Sequence, residues 1–333
     1  MVSVWLFGTV LVSFFVTLFI MPFWIRKAKQ IGLVWENMNK FNKEKNMAGS
    51  GGTIAVLGTL IGIFVYIAIQ TFVFKSSDGV ITEIFAIVSS LFLVAGIGLI
   101  DDLFGWQRGG MSIRSRLILV LFAAIPLMVI NAGNSSIAGI NLGLLYPLII
   151  IPLGVVGATT TYNFLAGYNG LEARQGILIL GALALASYLQ GNSWLSLIAL
   201  IMVASLVAFY VFNKYPAKVL PGDVMTYSIG IMIAAIAILG NLELVAVLFF
   251  IPYIIETILK ARGGLKKYSF GKPNPDGSLD LLYDKFYGLE HIALYVLKKI
   301  KPSHKVYEKD VVNLINGFQI VIILLVLLFM HII

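Results

Sequence analysis

The chain contains no cysteine, which excludes disulfides, thiolate metal sites and thiol nucleophiles. Charge is scarce: Asp, Glu, Lys and Arg make up 12% of the 333 residues, about half the share usual in a soluble globular chain. Histidine is confined to His291, His304 and His331, scattered along the chain with no spacing that reads as a zinc-ligand pair. Internal repeats and low-complexity segments are absent. No charged residue precedes the first apolar run, no small-residue cleavage site follows it, and it is too long for a signal-peptide core. That run is therefore expected to remain as a membrane span.

What the chain has in excess is apolar surface. Hydrophobic residues reach 59% and the mean hydropathy is +0.94, too high for a soluble domain. A spanning helix needs roughly 20 apolar residues to cross a core about 30 Å thick. About ten such runs are readable, near 2–24, 52–74, 81–100, 116–131, 144–162, 176–190, 194–212, 224–240, 243–259 and 312–333. The expected fold class is an all-α integral membrane protein, a single polytopic unit over 1–333 with a cytoplasmic insertion at about 260–311.

The basic residues set the orientation. With the N-terminus outside, ten spans put every lysine and arginine except Lys75 on the inner side, including Arg26 after the first run and the group from Lys260 to Lys309. Positive-inside bias works through such short loops, so both termini are expected outside. The net charge of +8 then describes a cytoplasmic face that attracts anionic headgroups and anionic soluble substrates, with no nucleic-acid partner. Within the insertion, "KPNPDGS" reads as the turn of a small β-hairpin. "LEHIALYVLKKIK", apolar on one face and basic at its end, reads as an interfacial helix.

Against this background the polar residues at helix ends need a reason. Asp101 and Asp102 close the third run in "GIGLIDDLFG"; Asn163, Asn169 and Glu172 punctuate "NFLAGYNGLEARQG"; Asp223 opens the eighth run after "NKYPAKVLPG". A lone Asp of this kind usually just ends a helix in water, and Asn-Gly alone is an ordinary turn signal. Several together at the inner ends of separate spans instead point to an ion or a partner. Asn163, directly at a helix end, is a plausible ligand for a hard cation, as are the Asp oxygens; Mg²⁺ takes such oxygens from one or two protein groups plus phosphates and water. A secondary transporter also uses polar residues in spans. Its sites, however, lie near the bilayer midplane, whereas these groups gather at one face.

"GIGLIDDLFG", "NFLAGYNGLEARQG" and "FNKYPAKVLPGD", in this order, with "ENMNK" after the first run, resemble the polyprenyl-phosphate N-acetylhexosamine-1-phosphate transferases. The "LAGYNGLE" form is most similar to the eukaryotic and archaeal branch, the dolichyl-phosphate N-acetylglucosaminephosphotransferases. The resemblance implies transfer of a sugar-1-phosphate from a UDP-sugar, GlcNAc first among them, to a membrane polyprenyl or dolichyl phosphate, releasing UMP. Another N-acetylated sugar or a muramyl-peptide donor would use the same chemistry. It implies Mg²⁺, with Mn²⁺ as a substitute, membrane lipid surroundings and room for a homodimer.

Residue by residue, the resemblance makes Asn163 and Asp223 the metal ligands, with Asp223 also catalytic. Asp101 and Asp102 become the carboxylates near the acceptor phosphate, Asp101 acting as base or orienting group. Asn169 and Glu172 fall in the nucleotide-sugar pocket, and Asn39 is a further substrate-binding residue. Two departures stand out. Where the family carries a lysine after the aspartate pair, this chain reads "GWQRGGMSIRSR", leaving Arg114 or Arg116 for the phosphate. Where eukaryotic members carry a His/Arg-rich patch, it reads "ARGGLKKYSFGKPNPDG".

Overall fold

The computed structural model describes residues 4–42, 45–75, 79–137 and 139–332. In chain order, helix α1 (Val4–Gln30) leads into a hairpin of β1 (Val34–Glu36) and β2 (Lys45–Ala48). Helices α2 (Gly52–Ala68), α3 (Ile81–Arg108), α4 (Ile113–Ala123) and α5 (Ile125–Val129) follow. A two-residue pair, β3 (Ser136–Ile137) and β4 (Ile140–Asn141), precedes α6 (Ile151–Tyr162), α7 (Leu171–Leu189), α8 (Ser193–Asn213) and α9 (Gly222–Leu239). The chain then runs through α10 (Glu243–Phe249), α11 (Ile251–Arg262), β5 (Lys272–Pro273), β6 (Leu279–Asp280), α12 (Leu289–Ile300) and α13 (Glu308–Ile332). All three sheets are two-stranded and antiparallel.

Helix α9 is the axis of the bundle. Val224 through Ile238 are buried without interruption, the pattern of a helix apolar all round and wrapped by protein. It packs against α3 and α6 most extensively, and also against α2, α7 and α10. Two glycines allow close backbone approaches. A Cβ on Gly98 of α3 would sit 2.6 Å from the Val224 Cα, and one on Gly230 of α9 would sit 2.5 Å from the Thr159 Cα of α6. Small residues at such crossings let helix backbones meet where lipid provides no hydrophobic drive. Polar contacts assist elsewhere: Ser13 Oγ donates to the Ile201 carbonyl at 2.8 Å, and the Thr17 and Ser205 hydroxyls lie 2.6 Å apart, tying α1 to α8.

Each of the ten apolar runs is mainly helical, but they are not equivalent. Among the described residues, six helices are long and apolar enough to cross a membrane, and α10 with α11 forms a seventh candidate bent by 58°. The break falls at Phe250, and Pro252 sits in the first turn of α11, where its missing N–H costs nothing but where it cannot continue the preceding helix. The other three runs are shorter or interrupted: α4 and α5 break near Pro126, Tyr146–Tyr162 is a shorter apolar helix with a π-helical start, and α7 begins with a polar turn.

The hairpin expected at "KPNPDGS" is β5–β6, pairing Lys272 with Asp280 and Pro273 with Leu279. The helix expected after it is α12, burying Leu289, Ala293 and Leu294. Ion pairs clamp this insertion: Lys298 to Asp280, Lys305 to Asp276 at 2.7 Å and Lys301 to Asp310 at 2.7 Å.

Candidate active site

The first turn of α9 meets the end of α6 and the latter part of α3 at one end of the bundle. The approach to that turn is fixed by strand-like pairing of 48–52 with 219–221: Leu220 N–H donates to the Ala48 carbonyl at 2.8 Å, and Gly51 N–H to the Leu220 carbonyl at 2.9 Å. At Gly222 the backbone takes φ +72°, and a Cβ there would stand 2.1 Å from Asp102 Oδ2. Only glycine satisfies both conditions.

Asp102 therefore reaches beneath α9. Its Oδ1 accepts from Asp223 N–H at 2.7 Å and its Oδ2 lies 3.5 Å from Val224 N–H. A carboxylate at this position satisfies otherwise unpaired donors and complements the positive end of the helix dipole. It fixes where Asp223 stands.

Asp223 in turn contacts Asn163, the residue that closes α6: Asn163 Nδ2 donates to Asp223 Oδ1 at 3.1 Å, and Thr226 Oγ1 donates to Asn163 Oδ1 at 3.1 Å. Asp102, Asn163, Asp223 and Thr226 line a cleft of about 300 Å³ with Trp35 and Phe270 as aromatic walls.

Asp101 is set back from this cleft and almost wholly buried, 2% exposed. Its Oδ2 pairs with Arg116 Nε at 2.7 Å and accepts from Tyr227 OH at 3.4 Å; its Oδ1 accepts from Met111 N–H at 2.7 Å. Of the two arginines that the sequence leaves open, Arg116 is the one beside the aspartates, while Arg114 is exposed.

Glu172 lies at the start of α7, before its apolar run, and also borders the cleft. One oxygen accepts from Gly167 N–H at 2.7 Å; the other is buried without a hydrogen-bond partner. Burial pushes its carboxyl up to about 7, against the lowering effect of the Gly167 bond.

Asn169 and Asn39 do not line the cleft. Both turn to Glu308, the first residue of α13. Asn169 N–H donates to Glu308 Oε1 at 2.7 Å and Asn169 Nδ2 to Oε2 at 3.3 Å, while Asn39 Nδ2 lies 3.3 Å from both Glu308 Oε1 and the Gly167 carbonyl. Glu308, Trp35, Phe270 and Thr226 escape the sequence reading. Glu308 sits inside the charged string "YEKD", where one more carboxylate resembles an ordinary solvated helix start.

Among the described residues, no group of three or more His, Cys, Asp or Glu is arranged to hold a metal. His291 is buried in α12 and accepts from Tyr287 N–H at 3.2 Å, His304 lies on the surface, and the His331 side chain lies outside the described residues. The oxygen pair of Asp223 and Asn163 is a different type of donor set. Both line the open cleft, Asn163 with its Nδ2 turned to Asp223 and its Oδ1 to Thr226, so its carboxamide has to turn over to give an ion oxygen beside Asp223. Asp101, Asp102 and Asp223 stand close together there, with Arg116 as a nearby cation. That set fits Mg²⁺, which retains most of its positions for phosphate and water.

The sequence profile of glycosyl transferase family 4 matches residues 84–241, a stretch that includes Asp101, Asp102, Asn163, Glu172 and Asp223. A protein of Saccharolobus solfataricus named as a UDP-N-acetylglucosamine–dolichyl-phosphate N-acetylglucosaminephosphotransferase is 38% identical over 86% of each chain. A Sulfolobus acidocaldarius protein of the same name is 31% identical over 96% of this chain and 95% of its own. A phospho-N-acetylmuramoyl-pentapeptide-transferase of Streptococcus equi subsp. zooepidemicus is 32% identical over 74% of this chain and 76% of its own.

Proposed function

Because the chain belongs to glycosyl transferase family 4, we propose that it transfers GlcNAc-1-phosphate from UDP-GlcNAc to a polyprenyl or dolichyl phosphate in the membrane. The acceptor phosphate oxygen attacks the sugar-bearing phosphorus of the donor, the bond to the UMP oxygen breaks, and UMP leaves. The observation that carries this reading is the convergence of Asp102, Asn163 and Asp223 on one cleft at a bundle end, with the Asp101–Arg116 pair beside it. One substrate is soluble and the other lies in the bilayer, so the reaction needs a site where a helical bundle meets water.

Asp223 and Asn163 would hold Mg²⁺, or Mn²⁺ in its place. When bound, the ion supplies charge neutralisation on the diphosphate. The chain's own groups do the rest. Arg116 exchanges the Asp101 carboxylate for the acceptor phosphate, gripping it with two N–H groups as a lysine cannot. Asp101, released from that pair, takes the proton that the acceptor retains. This is a modest task for a phosphate monoester, whose second pKa is about 6. Asp102 keeps Asp223 in place through the start of α9, and the segment 166–172 borders the nucleotide sugar. About ten membrane passes are read from the apolar runs, and the distribution of basic residues then favours both termini outside and the cleft on the cytoplasmic face. The basic end of α12 then lies along the inner leaflet.

GlcNAc is favoured as the sugar by the names of the two archaeal relatives. The test is incubation of purified protein with Mg²⁺, polyprenyl phosphate and, separately, UDP-GlcNAc, other UDP-N-acetylhexosamines and UDP-muramyl-pentapeptide, with mass analysis of the lipid. Polyprenyl-diphosphate-GlcNAc with stoichiometric UMP is expected. A muramyl-pentapeptide lipid would replace the sugar assignment, and no lipid product from any donor would overturn the activity.

A further inference from the structure

We propose that Glu308, at the start of the last helix, is a positioning residue for the donor-side loop 166–170 and so controls the affinity for the UDP-sugar. The proposal rests on the transferase reading above. The loop is held between two buried carboxylates. From within, Glu172 takes the Gly167 N–H at 2.7 Å. From outside, Glu308 takes the Asn169 N–H at 2.7 Å and the Asn169 carboxamide at 3.3 Å. Asn39, from the segment after α1, closes the arrangement by reaching both Glu308 Oε1 and the Gly167 carbonyl at 3.3 Å each.

Glu308 is 3% exposed, and each of these three partners is an N–H donor. An acceptor-only group is therefore required at this point, and an ionised carboxylate makes stronger bonds to N–H groups than a neutral acceptor does. Glu308 and Asn39 line a separate cavity of about 260 Å³, whereas Ala166 and Gly167 line the cleft, so Glu308 reaches the cleft through the loop. Its own placement is set by the cytoplasmic insertion: Leu279 N–H of β6 donates to the Val306 carbonyl at 2.7 Å, and Ser278 bridges to Tyr307. Glu308 thereby ties the hairpin to the donor loop at Asn169, beside the direct bond from Gly271 N–H to the Tyr168 hydroxyl at 3.1 Å.

Glutamine at 308 keeps one acceptor but aims an NH₂ group at the Asn169 or Asn39 donors. Glu308→Gln should raise the Kd for UDP, measured by titration calorimetry, and the KM for the UDP-sugar by roughly tenfold. The KM for polyprenyl phosphate should stay within about twofold of wild type, a small fraction of one hydrogen bond. Glu308→Asp keeps two acceptor oxygens on a shorter stem and should lie between the two. It also serves if the Gln variant does not fold. Wild-type UDP affinity in both variants would overturn the proposal, as would equal rises in both KM values alongside a lowered Tm, since that pattern marks general loosening. Failure of the wild-type protein itself to bind UDP would instead overturn the transferase reading on which the proposal stands.

Discussion

Replacing Glu172 by Gln should stabilise the protein near neutral pH, in a way that disappears in acid. Glu172 is 3% exposed, and one of its oxygens accepts from Gly167 N–H while the other has no partner. Burial raises its pKa from 4.5 to about 7. A carboxyl raised in the folded state binds its proton more tightly there than in the unfolded chain, so stability falls as pH rises between these two values. Its contribution is fully present below about pH 4.5 and is lost by the time pH has passed through about 7. At about 1.36 kcal/mol per unit, the loss approaches roughly 3 kcal/mol.

Glutamine retains the oxygen that accepts from Gly167 and has no charge to bury. The measurement is Tm in detergent from pH 4.5 to 8.5 for both proteins, by intrinsic fluorescence, since other titrating groups cancel in the difference. At about 2 °C or slightly less per kcal/mol for a chain of this size, the variant should melt about 5 °C above wild type at pH 8 and within about 1 °C at pH 4.5. Parallel Tm profiles across the whole range would refute the reasoning. They would mean that the carboxylate is solvated in the cleft and has no raised pKa.

Asp223→Asn and Asn163→Ala should each lower turnover roughly a hundredfold, as expected for loss of a contact to transition-state charge. Raised Mg²⁺ should restore part of it, and an unchanged Mg²⁺ dependence would move the metal elsewhere. Arg116→Lys should lose roughly tenfold in turnover because the ammonium cannot grip the phosphate with two parallel N–H groups; Arg114→Lys should stay within about twofold, since Arg114 is exposed and exposed substitutions are usually mild. Single cysteines at Arg174 and Lys285 of this cysteine-free chain should label only from the cytoplasmic side of sealed vesicles, and labelling from outside would break the common active face.

Asp101, Asp102, Asn163 and Asp223 were legible in the sequence because each interrupts an apolar run at its end, where a polar group demands a reason. The roles within the set were less so. Asp101 and Asp102 are neighbours in sequence, yet one pairs with Arg116 and the other reaches under α9; helix phase decides this, and adjacency does not reveal it. The choice between Arg114 and Arg116 had the same obstacle, since residues two apart face different sides of a helix. The resemblance makes Asn39 and Asn169 substrate-binding residues, but the carboxylate that both contact lies at position 308, too distant for local spacing to indicate. The hairpin at 272–280 was readable from its turn residues. The β1–β2 hairpin was not, because its strands are short and carry no period-two pattern. Hydropathy located the helices but not their breaks: the 58° bend between α10 and α11 sits inside one apolar run.

The burial of α9 separates the site from the bilayer in a mechanical sense. Outer helices such as α1 and α13 present large apolar side chains outward, among them Phe19 and Leu325. They must answer a thicker or thinner bilayer by tilting, at a modest cost for each ångström of mismatch. Helix α9 has no lipid contact to adjust along its buried length, and its height is locked to α3 and α6 by backbone approaches at Gly98 and Gly230. Asp223 is therefore referenced to its neighbours and not to the membrane. In bilayers of different thickness the periphery is then expected to absorb the change while the separation of Asp223, Asn163 and Asp102 stays fixed.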